Sequence, residues 1–348
     1  MNFASDNWTG AHPRIAQSLV TAAAEYDCAY GGSRLDHEAA DRFNEIFDRE
    51  VAVFFLGTGT VANALAFSAA NRPGGVVFCH AESHPIADEG GATEYLTGGA
   101  RIQGVSGAGG KYSAETLART IARFPREFIH HGQPMAVSLA QATELGTAYS
   151  LTEIEAIAGV ARQSQLPLHM DGARFANALC ALDLEPAQMT WKAGIDMMSF
   201  GATKNGCWCA EALIFFDPST VGDFPFIRKR AGQIYSKSRF IAAQFLAYFE
   251  NGLWLDLARH ANDMALRLAV AIEVSAKVDL AWEPQSNEVF ALMDKDTLAQ
   301  LQAQGVKCYG WATPAESPVP VAENQEIVRF VTSFATTDTE IDRFAELI

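Results

Sequence analysis

Between residues 51 and 216 the chain alternates strand-like and helix-like segments, and this alternation restricts the fold more than any other feature. The β-rich run VAVFFLGTGT leads into TVANALAFSAAN, which has helical composition with Thr60 as the expected N-cap. GGVVFCH reads as a strand. SAETLARTIARF reads as a helix capped by Ser113, with Glu115 in the first turn where its charge suits the helix dipole; Thr116 stands where a capping box would need Glu or Gln. PMAVSLAQA is strand-like, SLTEIEAIAGVARQSQ is an amphipathic helix, and PLHMD, GIDMMSFGA and EALIFF are short strands. Strands separated by helices need crossover connections, so the pattern predicts an α/β domain around a mostly parallel sheet.

From about Gly232 the pattern turns helical, and EVFALMD, DTLAQLQAQG, IVRFVTSFA and DTEIDRFAELI then predict a small α+β tail. The expected division is an N-terminal arm over 1–14, a large α/β domain over 15–250 and a small C-terminal α+β domain over 251–348. The net charge of −15, from 41 acidic and 26 basic residues, argues against a nucleic-acid or membrane-surface partner and for a small molecule. The basic run IRKRAG (Arg228, Lys229, Arg230) reads as a solvated face or a phosphate contact. MNFASDNWTGAHPR lacks the basic and apolar segments of a signal peptide, and no apolar run approaches the ~20 residues of a membrane span, so a soluble cytoplasmic protein is expected. The six cysteines (Cys28, Cys79, Cys180, Cys207, Cys209, Cys308) include no C-x-x-C pair and read as reduced and structural. Cys207 and Cys209 flank Trp208 as neighbours on a strand would, and no metal is assigned to them.

GIDMMSFGATKNGCW sets Lys204 among apolar and small residues. Such a lysine is a surface residue at a strand end or an amine placed for a Schiff base, since an uncharged amine attacks carbonyls. Other chemically loaded residues fall at strand ends, where α/β sheets bind ligands. LGTGT opens a helix, so the amides of Gly59 and Thr60 and the Thr60 hydroxyl are placed to hold a phosphate or merely to form a turn. CHAESHP supplies His80 and His84, either loop residues or rings able to cover an aromatic ligand. In LPLHMDGAR, Asp171 reads as a helix cap or as partner of a protonated pyridine nitrogen, and Arg174 as a surface ion-pair residue or a carboxylate grip. A phosphate-holding turn, a covering histidine, a carboxylate and an isolated lysine, in this order, are what pyridoxal 5'-phosphate requires.

GTGTVAN, ESHPIADEGGA, HMDGARFANAL and FGATKNG together resemble the low-specificity L-threonine aldolases of the fold-type I pyridoxal-phosphate class, from SDN at Ser5 to IVRFVTSF near Arg329. The resemblance implies a large domain with a seven-stranded, mostly parallel sheet and a small C-terminal domain. It implies that Lys204 carries the cofactor, Asp171 holds the pyridinium, Gly59 and Thr60 hold the phosphate, and His84 stacks on the ring. Arg174 and Arg329 with Ser5 match the substrate-carboxylate clamp, and Glu89 matches a glutamate that organises the proton network. Tyr30 and Gly31 resemble a segment reaching a neighbouring subunit's site, in a homotetramer or a dimer with shared sites. AQAT stands where many relatives have ENTH, so Thr143 replaces a histidine near the substrate hydroxyl, and whether His130 or His131, earlier in the chain, compensates for it is left open by the resemblance. The implied reaction is retro-aldol cleavage of L-threonine, L-allo-threonine and related β-hydroxy-α-amino acids such as phenylserine, with His84 the first candidate base. A β-eliminating lyase or aminotransferase on the same scaffold, and a non-catalytic scaffold or regulatory protein, are the alternatives.

Overall fold

In the computed structural model, which describes residues 1–24 and 26–348, seven strands form the main sheet: β1 (Ala52–Leu56), β2 (Gly75–His80), β3 (Arg101–Val105), β4 (Gln133–Ala140), β5 (Leu168–Gly172), β6 (Met197–Gly201) and β7 (Glu211–Phe215). Their order is β1-β7-β6-β5-β4-β2-β3. β7 runs antiparallel to both of its neighbours and every other pairing is parallel. The expected α/β architecture is therefore present. β2, β5, β6 and β7 are buried along their whole length, as strands covered on both faces must be.

The direction of β7 decides what can meet at one edge. The C-terminal ends of β1, β5 and β6 lie beside the N-terminal end of β7, with Leu56 and Gly201 both in register with Glu211. Helices cover the sheet. Phe43, on the helix Arg34–Ile46, meets Phe249, Phe245 and Phe200 at ring separations of 5.0, 5.1 and 5.4 Å. These edge-to-face contacts add to the area the rings bury.

Four further strands, β8 (Val278–Trp282), β9 (Glu288–Asp294), β10 (Tyr309–Trp311) and β11 (Gln325–Val331), form an antiparallel sheet in the order β10-β11-β9-β8. The first residues dock on it. The Phe3 amide donates to the Lys307 carbonyl at 2.8 Å, the Val331 amide donates to the Phe3 carbonyl at 2.8 Å, and the buried Phe3 ring packs on Phe330 and Phe344.

Several local expectations change. The helix Gly59–Ala69 is capped by Thr58, whose hydroxyl accepts from the Val61 amide, so Thr60 sits inside the first turn. Ser113, by contrast, caps its helix as expected, accepting from the Thr116 amide. Cys207 and Cys209 lie in a loop and not on a strand. The long helical run is broken at Asn251 and Gly252, which take left-handed φ values of 53° and 72°. β3, β8 and β10 were not anticipated; β3 and β10 are edge strands, and their sequences RIQGV and YGW lack clean alternation. No helix among the described residues is long and apolar enough to cross a membrane.

Truncating Phe43 to Ala leaves a cavity beneath the sheet. The expected cost is about 3–5 kcal/mol, read as a lower urea midpoint at unchanged slope.

Candidate active site

At the edge where β7 begins lies a cavity of about 250 Å³, lined by residues that include Thr58, Asn63, His84, Asp171, Lys204 and Glu211. Asn7, Gly57, Gly59, Thr60, Glu144, Ala173 and Thr203 complete its wall. Each arrives by a local rule. The helix Gly59–Ala69 starts as β1 ends, and Thr58 caps it at Val61; the Gly59 and Thr60 amides find no hydrogen-bond partner among the described residues. Unpaired amides at a helix start form an anion seat.

Lys204 sits in a short 3-10 turn, Thr203–Asn205, directly after β6. Asn205 anchors the turn by donating to the Tyr248 hydroxyl at 2.7 Å and to the Trp254 carbonyl at 2.8 Å. Gly206 closes it at φ 105°, where a Cβ would also come within 2.9 Å of Leu257. Lys204 itself is half-buried, between sheet edge and open cavity.

Asp171, one residue before the end of β5, is buried at 7% exposure. Its Oδ2 accepts from Asn63 Nδ2 at 2.8 Å and its Oδ1 from the Ala173 amide at 3.1 Å. The same Asn63 amide donates to Glu89 Oε1 at 2.8 Å, and His84 Nδ1 lies 2.9 Å from that oxygen. A continuous chain thus runs His84–Glu89–Asn63–Asp171, leaving His84 Nε2 as the ring nitrogen available to a ligand. The Glu89 hydrogen bond raises His84 above the ordinary histidine range, against the opposing effect of burial. Burial in turn pushes the Glu89 carboxyl up, opposed by its hydrogen bonds from His84 and Asn63.

Other expected residues lie elsewhere. Arg174 does not line the cavity: its Nε and Nη2 donate to Asp6 at 2.8 and 3.1 Å, and its Nη1 lies 3.3 Å from Glu288. Arg329 stacks over Trp311 and reaches Glu288 at 3.4 Å. The Ser5 hydroxyl accepts from the Asn7 amide, capping a single turn, and it is Asn7 that lines the cavity. Arg174, Arg329 and Ser5, expected as a carboxylate clamp, thus stand outside the cavity wall; Asp6 and Glu288 pair with the Arg174 guanidinium, while the buried Arg329 Nε finds no hydrogen-bond partner among the described residues.

Thr143 is buried, 2.8 Å from the Thr147 hydroxyl and within reach of the Gly109 carbonyl, and its neighbour Glu144 faces the cavity instead. His130 and His131 precede β4, at the opposite edge of the sheet from the site; His131 bonds the Arg123 carbonyl. That placement removes them as substitutes for a histidine at Thr143 within one chain. His80 is held by the Gly107 carbonyl and the Glu82 amide. Tyr30 and Gly31 do not line the cavity of their own chain, and Tyr30 is exposed with φ 59°.

Asn7, Asn63, Glu144 and Glu211 were missed by the sequence reading. Asn63 carried a signal, as the one amide in the apolar helix segment VANALAF, four residues after Gly59. Glu211 carried another, as a lone charge opening the apolar strand EALIF.

The chemistry of this set fits pyridoxal 5'-phosphate. Unpaired helix amides suit its phosphate, a buried carboxylate suits a protonated ring nitrogen, a lysine amine suits its aldehyde, and a half-buried imidazole suits its face.

Comparison with known proteins gives the same direction. Residues 2–296 match the beta-eliminating lyase family. The low specificity L-threonine aldolase of Pseudomonas aeruginosa is 36% identical over 345 residues, covering 99% of this chain and 95% of that protein. The enzyme of the same name from Pseudomonas sp. is 37% identical over 307 residues, 88% of each chain. The solved structure of Leishmania major threonine aldolase superposes with a TM-score of 0.91 at 28% identity, covering 99% of this chain and 98% of that one. These matches agree with the resemblance read from the motifs.

Replacing Glu89 by Gln removes the charged acceptor at His84 Nδ1. By NMR, the His84 ring is expected to titrate above the usual histidine range in the parent and lower in Glu89→Gln. An unchanged titration would separate the two groups.

Proposed function

The chain belongs to the beta-eliminating lyase family, and from that premise we infer that it is a pyridoxal-5'-phosphate-dependent L-threonine aldolase. It cleaves L-threonine, L-allo-threonine and related L-β-hydroxy-α-amino acids to glycine and an aldehyde. The observation that carries this reading is the meeting of Lys204, Asp171, His84 and the unpaired Gly59 and Thr60 amides in one cavity.

Lys204 would hold the cofactor through its aldehyde carbon, Asp171 through the ring nitrogen, Gly59 and Thr60 through the phosphate, and His84 across the ring face. When bound, the cofactor supplies an electron sink for the pair left when Cα–Cβ breaks. Asp171, fixed by Asn63 and the Ala173 amide, keeps its carboxylate in one orientation. His84, held through Nδ1 by Glu89, offers Nε2 to take the proton of the substrate hydroxyl. Arg174 acts on the cavity indirectly, by holding Asp6 beside Asn7. Arg329 supports the same network through Glu288. Both are positioning residues in this reading.

The chain works as a homo-oligomer, dimer or tetramer, in which Tyr30 and Gly31 reach a neighbouring copy. Support comes from large side chains left open to solvent, with Tyr26, Trp208 and Phe226 at 105%, 66% and 71% exposure. Sedimentation is expected to give a species at least twice the chain mass, and a monomer at working concentration would reject the shared site. The compartment is the cytoplasm, a reading supported by six free cysteines.

The decisive assay gives cofactor-loaded protein L-threonine, L-allo-threonine or L-phenylserine and quantifies aldehyde, glycine, keto acid and ammonia. Matched aldehyde and glycine are expected, and both should vanish in Lys204→Ala. Keto acid and ammonia without glycine would replace aldol cleavage by β-elimination, which the family name also covers.

A further inference from the structure

Glu211 has no part in the reading above, yet it stands at the phosphate end of the cavity. As the first residue of antiparallel β7 it lies in register with Leu56, one residue before Gly57, and with Gly201. Its Oε2 is 3.9 Å from where a Cβ on Gly59 would sit and 3.2 Å from where one on Gly201 would sit. Glu144, Asp171 and Glu211 line the cavity, while Lys204 is the only lysine or arginine among the described residues that do. An ionised carboxylate beside Gly59 would repel a phosphate that carries close to two negative charges at neutral pH. A protonated one would donate to it.

We propose that Glu211 is a proton-dependent ligand of the cofactor phosphate: one proton taken from solvent converts its carboxylate to the acid, whose O–H donates to a phosphate oxygen. The inference rests on the reading of the cavity as the pyridoxal-phosphate seat. The local environment already shifts Glu211 towards the acid. Burial pushes Glu211 up to about 7, opposed by hydrogen bonds from Thr203 and by the Lys204 charge, and assisted by Asp171. Cys207 and Cys209, from the preceding loop, and Tyr248, from the helix Arg239–Phe249, also face it. Burial raises all three above their ordinary values, so they are neutral at pH 7. Lys204 and Asp171 are then the charges that bear on Glu211, with opposite signs. An arriving phosphate adds negative charge and extends the acid form to higher pH.

The test measures affinities of the full-length apo chain for pyridoxal 5'-phosphate and for pyridoxal between about pH 6 and about pH 9, in the parent and in Glu211→Gln, by absorbance of the bound chromophore. Pyridoxal shares the aldehyde and lacks the phosphate, so effects on Lys204 cancel in the ratio of the two affinities. In the parent, the advantage given by the phosphate should fall about tenfold per pH unit above about pH 7; in Glu211→Gln it should change by less than about threefold over the same range. Equal slopes in the two proteins would overturn the proposal. Equal losses of both ligands in the variant would also overturn it, by placing the effect on Lys204. Failure of the parent to bind pyridoxal 5'-phosphate at all would overturn the cofactor reading itself. If the variant does not fold, calorimetry on the parent in two buffers of different ionisation heat decides. About one more proton taken up with pyridoxal 5'-phosphate than with pyridoxal at about pH 8 supports the role, and no difference rejects it.

Discussion

Arg174 brings a positive charge into a region almost without water, and three parts of the molecule meet on it. Asp6 comes from the N-terminal segment, Glu288 from the start of β9, and Arg174 itself follows β5. Burial alone would disfavour the charge, but Asp6 and Glu288 raise Arg174 above the ordinary guanidinium value. Asp6, itself pushed up by burial, is held below the usual carboxylate range by Arg174 and Lys204. Removing one partner from such a buried group strands the others, at a typical cost of about 3–5 kcal/mol. Asn287 adds a 3.1 Å hydrogen bond to Asp6, so the N-terminal segment is tied to both sheets at a single point. The wall of the cavity at Asn7 depends on that tie.

Much of the site was legible because its chemistry clusters at strand ends. Gly59, Thr60, His84, Asp171 and Lys204 each follow an apolar run that reads as a strand, and a parallel sheet gathers such ends at one edge. His131, raised only by the resemblance, precedes β4 and so lies at the other edge. Proximity to a strand in sequence does not give the edge; only the direction of the strand does. Strand direction likewise hid Glu211, which reaches the site at the start of β7 because that strand alone runs the other way.

Arg174 was legible as a functional type but not in its partners. A guanidinium after a strand suggests a carboxylate to hold, and here the carboxylate belongs to Asp6, 168 residues earlier in the chain. No local pattern encodes a pairing at that separation. The His84–Glu89 contact is local by comparison, since the two residues are five apart across the short helix His84–Ala87. Asn63, which joins that pair to Asp171, was obscured because a buried amide in an apolar helix reads as an interruption until its two acceptors are known.

The docking of Phe3 also sets an order of events during synthesis. Phe3 leaves the ribosome long before Lys307 and Val331, the residues that pair with its backbone. The backbone pairs of Phe3 therefore wait while the main sheet and then β11 are made, although Asp6 can meet Arg174 as soon as β5 is in place. A nascent chain can thus possess the lysine, the anion seat and the aromatic core while its pocket still stands open on the side that the N-terminal segment later closes.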